Sequence, residues 1–332
     1  MPGPLALIQK AWARLMAPLL VLPGNVRGAL YVATAGMIFT AGSGFVKELG
    51  GEISVFQILL IRQATMTLTV LPVIARNFPD ALRTKSLTLQ VVRVIFAMIA
   101  MVGGFLAIQH MPLADATALS FAKSLFVTVF AIVLLKEVAG FSRWAATIVG
   151  FGGVLFIVQP SADGVDAYAL AALAGAAGAA MVSIIIRHLS QFDRSITILS
   201  YQAILVGAVM LPLGVWFWVW PTWQEWAMMI AIGLLSVAGQ FCNIAGFRAG
   251  EASAVAPMDY SRLLFAVLIG IVIFLEWPTW QTLAGSLIIV ATSFYTVRAE
   301  RKAARRKTAE AATGFPASGA ATAGKPQPDN DR

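Results

Sequence analysis

Charge and cysteine are what this chain has least of. Charged residues make up 12% of its 332 residues, while hydrophobic ones make up 59%. That charged share is about half the soluble average. A soluble core of this size has no room for so much apolar surface, whereas lipid accepts it. The one cysteine, Cys242, lies in an apolar run and excludes both a disulfide framework and a cysteine-held metal. The two histidines, His110 and His188, fall at segment ends far apart in sequence, which argues against a zinc or di-metal centre. No phosphate-binding loop, metal spacing or plausible Ser/His/Asp grouping is present, so neither a cofactor nor ATP-driven chemistry within the chain is expected. The net charge of +8 comes from basic residues clustered at the ends of apolar runs. Cytoplasmic loops of membrane proteins have that pattern, and nucleic acid is not the expected partner.

What the chain does have is long apolar runs. Ten are candidates to span a hydrocarbon layer of roughly 30 Å. They are Gly28–Val46, Val55–Ala75, Val91–Ile108, Leu113–Leu135, Trp144–Val158, Ala167–Ile186, Ile196–Val219, Trp226–Phe247, Ala252–Leu275 and Trp280–Val297. Helices are expected, because spanning backbone must satisfy its own hydrogen bonds and these runs are too long and uniformly apolar for barrel strands. The fifth is short. Connections of a few to about a dozen residues leave no globular domain outside the lipid bilayer.

Basic residues orient the bundle. Arg76, Arg83 and Lys85 follow the second run, and Arg298, Arg301 and Lys302 follow the tenth, whereas the opposite loops hold Glu48, Glu52, Asp163, Asp166, Glu225 and Glu276. Only the loop with Arg248 and Glu251 is neutral. Both termini are therefore expected in the cytoplasm of a multi-pass protein of a bacterial-type inner membrane. Trp216, Trp218, Trp220, Trp223 and Trp226 crowd the opposite side, as an interfacial belt does. Leu5–Leu20, with Trp12 between Lys10 and Arg14, reads as an amphipathic helix on the inner surface rather than a cleaved signal. From about Thr308 the chain is rich in Ala, Gly, Pro and Thr without periodicity and is expected to be disordered.

The runs divide into two halves, 28–159 and 168–298, flanked by an N-terminal segment 1–27 and a basic tail 299–332. At an offset of 140, Lys47 meets Arg187 and Leu71–Pro72 meets Leu211–Pro212. At 139, Lys123 meets Arg262, Leu125–Phe126 meets Leu264–Phe265, and Glu137 meets Glu276. Five spans per half is an odd number, so the second half enters the membrane from the other side. The expected fold is an all-α integral membrane protein of ten transmembrane helices arranged as two inverted five-helix repeats, a device by which many secondary transporters reach two related states.

Three segments resemble the drug/metabolite transporter superfamily, EamA type. They are ATALSFAKSLFVTVFAIVLLKE at Ala116–Glu137, RWAATIVGFGGVLFIVQP at Arg143–Pro160 and APMDYSRLLFAVLIGIVIFLEWP at Ala256–Pro278. The resemblance implies an inner-membrane carrier whose cavity lies between the halves, lined by parts of helices one, three, four, six, eight and nine. It brings amino acids, nucleoside-like metabolites such as S-adenosylmethionine, and flavins as substrate classes. Members often carry proline in the fourth helix near position 124; Ser124 stands here, which leaves a kink open.

A charge at the bilayer centre costs at least a few kcal/mol, so the ionisable residues inside the runs are the candidate site. Lys123 lies about ten residues, or roughly 15 Å, from either end of its run, too deep to snorkel easily. Substrate binding is set against a structural ion pair. Arg262 is placed similarly, but Asp259 three residues earlier shares its helix face and offers it an internal partner, with Tyr260 between them. Arg62 and Gln63 lie within the second run as substrate or gating groups, or as groups reaching the headgroups; Arg93, near the start of its run, is expected to snorkel. Gln240 and Asn243 form one polar helix face, for ligand or for interhelical bonds. Glu137 and Glu276 read as capping or interface residues. The small-residue run Ala174–Ala180 reads as a packing face, with room for substrate beside a cavity as the alternative. For proton coupling, Asp259 is the first candidate carboxylate and Asp115 the second. The function expected is secondary transport of a small polar or amphipathic metabolite by alternating access. The alternatives are a membrane receptor or assembly protein, for which the loops offer little surface, and a membrane enzyme, which lacks its acid/base or metal cluster.

Overall fold

The computed structural model describes residues 23–135, 141–159, 166–189, 191–250 and 255–313. Among them the chain is helical, with no strand. The helices are α1 (Gly24–Glu48), α2 (Val55–Arg76), α3 (Leu87–His110), α4 (Leu113–Ser120), α5 (Lys123–Leu135) and α6 (Phe141–Val158). There follow α7 (Ala167–Leu189), α8 (Ser195–Trp216), α9 (Trp223–Ala249), α10 (Ser261–Phe274) and α11 (Trp280–Thr313). Short 3-10 turns cover Asp80–Leu82 and Ala256–Tyr260. Six spans are long and apolar enough to cross a membrane: α1, α3, Leu113–Leu134 (which combines α4 with α5), α7, Thr197–Trp216 and α9. The protein is thus a multi-pass helical membrane protein. The Leu5–Leu20 segment and Glu137 lie outside the described residues. The last helix overruns its apolar run and continues to Thr313.

Local chemistry sets the helix starts. Ser54 and Ser86 accept hydrogen bonds from the backbone N–H groups of Phe56 and Leu89, and Thr222 with Glu225 forms a reciprocal capping box at α9. Packing is pairwise. α1 lies along α9, α3 along α7 and α6 along α11, while α2 contacts α8 and α9, α4 and α5 contact α7, and α10 with its preceding 3-10 turn contacts α1. Small residues permit the tight pairs. A Cβ on Gly178 of α7 would stand 2.8 Å from the Phe96 carbonyl of α3, and one on Gly28 of α1 would stand 2.7 Å from the Gly246 carbonyl of α9. The Ala174–Ala180 run does both things its small residues permit: Gly175 and Gly178 pack against α3, and Gly175, Ala176 and Ala179 line a central cavity.

Arg93 corrects its sequence reading. It does not snorkel but is wholly buried, with Nη1 donating to Gln202 Oε1 at 2.9 Å and Nη2 to the Ile198 carbonyl at 3.2 Å. It ties α3 to α8. Beside it Asp193, between α7 and α8, accepts from Thr84 Oγ1, from the Lys85 N–H at 3.0 Å and from Gln90 Nε2 at 3.0 Å. Burial pushes this carboxyl up, but those three donors and the Lys85 charge outweigh it and hold Asp193 below its ordinary value.

Candidate functional site: a charged central cavity

A cavity of about 570 Å³ opens between α1, α3, α4, α5, α7, the 3-10 turn before α10, α10 and α11. Among the described residues three charged side chains line it: Lys123, Asp259 and Arg262. Each cation follows a tightened turn. Between α4 and α5 the N–H groups of Phe121, Ala122, Ser124 and Leu125 bond to carbonyls three residues back, at 3.0–3.1 Å. The hydroxyls of Ser120 and Ser124 do the same, onto Thr117 and Phe121 carbonyls at 2.6 and 2.9 Å. Back-bonding hydroxyls compete with the α-helical ladder, which accounts for tightening here without proline. Lys123 is thus the first residue of a new helix rather than the middle of a long one. In the second half the Ala256–Tyr260 turn, with proline in its first turn, precedes α10 in the same way, and Arg262 is the second residue of that helix.

The cations are held differently. Lys123 is exposed to the cavity and lies within electrostatic range of Asp259 and Arg262. The stem of Arg262 passes over Gly36 of α1, where a Cβ would come 2.9 Å from Arg262 Cγ, and its guanidinium carbon stands 5.4 Å from the Phe39 ring centroid. The suggested Asp259–Arg262 partnership is not formed as an ion pair in this structure, nor is either paired with Lys123; the ion pairs found among the described residues lie elsewhere. Arg262 Nε and the neighbouring Ser261 Oγ are buried without a hydrogen-bond partner. Tyr260 stands edge-on to Phe121 at 5.0 Å between centroids, with its hydroxyl beside those of Ser293 and Ser124, which lie 2.6 Å apart.

The remaining candidates lie outside this cavity's lining. Arg62 Nε donates to Ser236 Oγ of α9 at 3.0 Å, with its guanidinium carbon 5.8 Å from the Phe105 ring centroid. Gln63 is buried and donates to Thr67 Oγ1 at 3.2 Å. Gln240 is exposed and Asn243 half-buried on α9, so the eighth span implied by the resemblance contributes nothing here, whereas α11 contributes Ser293. Asp115 accepts from Thr282 Oγ1 of α11 at 2.6 Å.

Sequence reasoning missed two features. One is the Tyr260–Ser293–Ser124 hydroxyl cluster, signalled only by the polar Thr292–Ser293 step in an apolar run. The other is an ion pair at the tryptophan-rich end, Lys47 Nζ to Glu276 Oε1 at 2.7 Å. Lys47 also donates to the Met111 carbonyl at 2.6 Å, and Glu276 Oε2 accepts from the Leu113 N–H at 3.1 Å, at the start of α4. Leu275, in left-handed conformation at φ 55°, turns the chain so that Glu276 reaches back.

A multi-span helical bundle around a charge-lined cavity is the architecture of a membrane carrier. The comparisons name the family: the EamA-like transporter family model matches residues 26–159 and 167–298, and the chain belongs to that family. It is 28% identical over 261 residues to an S-adenosylmethionine uptake transporter of Rickettsia conorii, covering 79% of this chain and 89% of that protein. A riboflavin transporter of Vibrio cholerae is 27% identical over 287 residues, 85% of this chain and 96% of that one. A pseudopaline exporter of Pseudomonas aeruginosa is 30% identical over 266 residues, 79% of this chain and 93% of that one. A solved crystal structure shares the fold at a TM-score of 0.56 and 17% identity, over 82% of this chain and 98% of that one. The chain is a small-metabolite transporter rather than a receptor.

Proposed function

We propose that this chain is a ten-helix secondary carrier of two inverted five-helix repeats, 28–159 and 168–298. In this reading it moves a polar or amphipathic metabolite across an inner membrane by alternating access, with both termini cytoplasmic. Amino acids, nucleoside-like compounds such as S-adenosylmethionine, and flavins are the substrate classes. The observation that carries this reading is the central cavity. It holds Lys123 and Arg262, each just after a tightened turn at matching positions of the two halves, and neither forms an ion pair among the described residues.

The packing supports the repeat. Exchanging the halves turns the α1–α9 pair into α7–α3, returns α6–α11 and α2–α8 to themselves, and turns the α4/α5–α7 contact into that of the 3-10 turn and α10 with α1. A fold that maps onto itself in this way has two related arrangements available. The Trp216, Trp220, Trp223, Trp277 and Trp280 side chains, 65–88% exposed at one end of the bundle, support that end as the outer interface. Arg62, bonded to Ser236, then joins α2 to α9 in the present arrangement, whereas Gln63 bonds within α2. Proton coupling, if the carrier uses it, falls to Asp259, since Asp115 is bonded to Thr282 outside the cavity.

Purified protein in proteoliposomes tests this. Solute-specific uptake or exchange is expected, with Lys123→Ala and Arg262→Ala each lowering flux at least tenfold while the protein stays folded in detergent. Normal flux in both variants would remove the cavity cations from the mechanism, and no flux across a broad metabolite panel would remove the transport reading.

A further inference from the structure

The cavity's charges do not balance. Lys123 and Arg262 contribute two positive charges and Asp259 one negative charge, and no fourth charged side chain among the described residues lines the space. None of the three neutralises another by direct contact, although all stand within electrostatic range. Arg262 also keeps a buried Nε–H with nothing to donate to, next to an equally unpartnered Ser261 hydroxyl. Buried donors and charges without partners are costly, and a bound solute that supplies the missing groups recovers that cost. Asp259, unpaired and adjacent to Tyr260, is placed differently from the cations. A carboxylate beside the Tyr260–Phe121 pair offers charge and aromatic faces together, the combination that holds an alkylammonium.

We infer that the solute is an anionic zwitterion, with one ammonium for Asp259 and two acidic groups for Lys123 and Arg262, of net charge −1 and complementary to the cavity's +1. This rests on the carrier reading above and narrows its substrate class. The cavity of about 570 Å³ is larger than such a head group needs, and the hydroxyls of Ser124 and Ser293 line space for a further polar portion.

Charge matching is testable with simple head-group probes. Binding is measured by thermal shift and competition on the intact protein in detergent, using iminodiacetate and L-aspartate (ammonium with two carboxylates), succinate (two carboxylates), propionate (one carboxylate) and glycine (neutral zwitterion). The wild type is expected to prefer iminodiacetate or L-aspartate at least tenfold over the other three. Arg262→Gln makes the cavity neutral and is expected to move the preference to glycine. Asp259→Asn makes it doubly positive and is expected to move the preference to succinate. A wild type that binds glycine or propionate as tightly as L-aspartate overturns the inference, as does a ranking that both substitutions leave unchanged. A variant that fails to fold is replaced by Arg262→Met or Asp259→Ser, judged on the same ranking. The two readings fail separately: L-aspartate binding without flux of any solute sinks transport alone, whereas flux whose solute ranking ignores charge sinks charge matching alone.

Discussion

The Lys47–Glu276 pair joins the end of α1 to the end of α10 and, through the Met111 carbonyl and Leu113 N–H, to the α3–α4 junction. Ser43, one turn below Lys47 on α1, lines the cavity. In an alternating-access cycle this contact must break for solute to pass the tryptophan-rich end, so Glu276→Gln is expected to open it more often. The magnitude follows from burial. Exposed ion pairs contribute up to about 1 kcal/mol, and breaking fully buried ones costs about 3–5 kcal/mol. With side chains 11% and 27% exposed, this pair falls between, at about 2 kcal/mol. That shifts the closed-to-open ratio by about 30-fold. The assay is the labelling rate of Ser43→Cys by an impermeant thiol reagent from the tryptophan-rich side, in a Cys242→Ala background, with and without Glu276→Gln. A rate changed by less than about threefold, with unaltered thermal stability, refutes the reasoning.

The reversed pair Lys47→Glu with Glu276→Lys sharpens the test. A pure ion pair survives reversal, but here each partner also holds a backbone group. Reversal sets a carboxylate against the Met111 carbonyl and an ammonium against the Leu113 N–H. The double variant is therefore expected to label as fast as Glu276→Gln or faster. Restoration of the slow rate would show that the backbone contacts contribute nothing.

Four further outcomes follow from other positions. Gly178→Leu drives a side chain into the Phe96 carbonyl and Ala100 N–H of α3, which would stand 2.8 and 3.0 Å from the new Cβ, and is expected to cost about 3 kcal/mol or more, read as a fall in detergent melting temperature. Gly207→Ala, with nothing within 4 Å, should leave that temperature unchanged. Gly36→Ala crowds the Arg262 stem, with Cγ 2.9 Å from the new Cβ, and is expected to raise the flux KM about fivefold with kcat nearly unchanged, corresponding to about 1 kcal/mol. Asp193 is held below its ordinary value of 3.8, so its stabilisation is full above the unfolded value and lost as pH falls through the lower folded one. The stability gap between wild type and Asp193→Asn is expected to be constant from pH 8 to 5 and to close below about pH 4, measured by thermal melts; a gap that widens on acidification contradicts the assigned sign.

The fold class was legible because lipid imposes a long apolar pattern that no soluble chain shares, and small-residue spacing at Ala174–Ala180 already marked a packed face. The tightened turns were less legible. Leu113–Leu135 reads as one apolar run because apolarity is blind to helix geometry, and the usual signal for a break, proline, is missing where Ser124 stands. The signal present was the hydroxyl series Ser120, Ser124 and Thr128, whose back-bonds are local but whose effect on the ladder depends on what packs against it. Arg93 was misread for a related reason: its depth of two or three residues into the run fits snorkelling equally well, and only the partner helix α8, more than a hundred residues away, supplies the Gln202 and Ile198 acceptors that make burial tolerable.

Lys123 and Arg262 were found because each is a charge where lipid forbids one, and their match across halves is visible in sequence alone. Their difference was not. The i−3 spacing of Asp259 and Arg262 brings both onto one side of the turn but does not decide where their side chains go. Here the Arg262 stem passes over Gly36 of α1 toward the Phe39 ring, and no ion pair with Asp259 forms. The facing helix, distant in sequence, therefore sets the outcome, and the cavity keeps all three charges available. In the charge-matched reading that missing pair is what matters: an Asp259–Arg262 pair would leave Lys123 as the main unpaired charge and weaken discrimination between L-aspartate and glycine in the same competition assay.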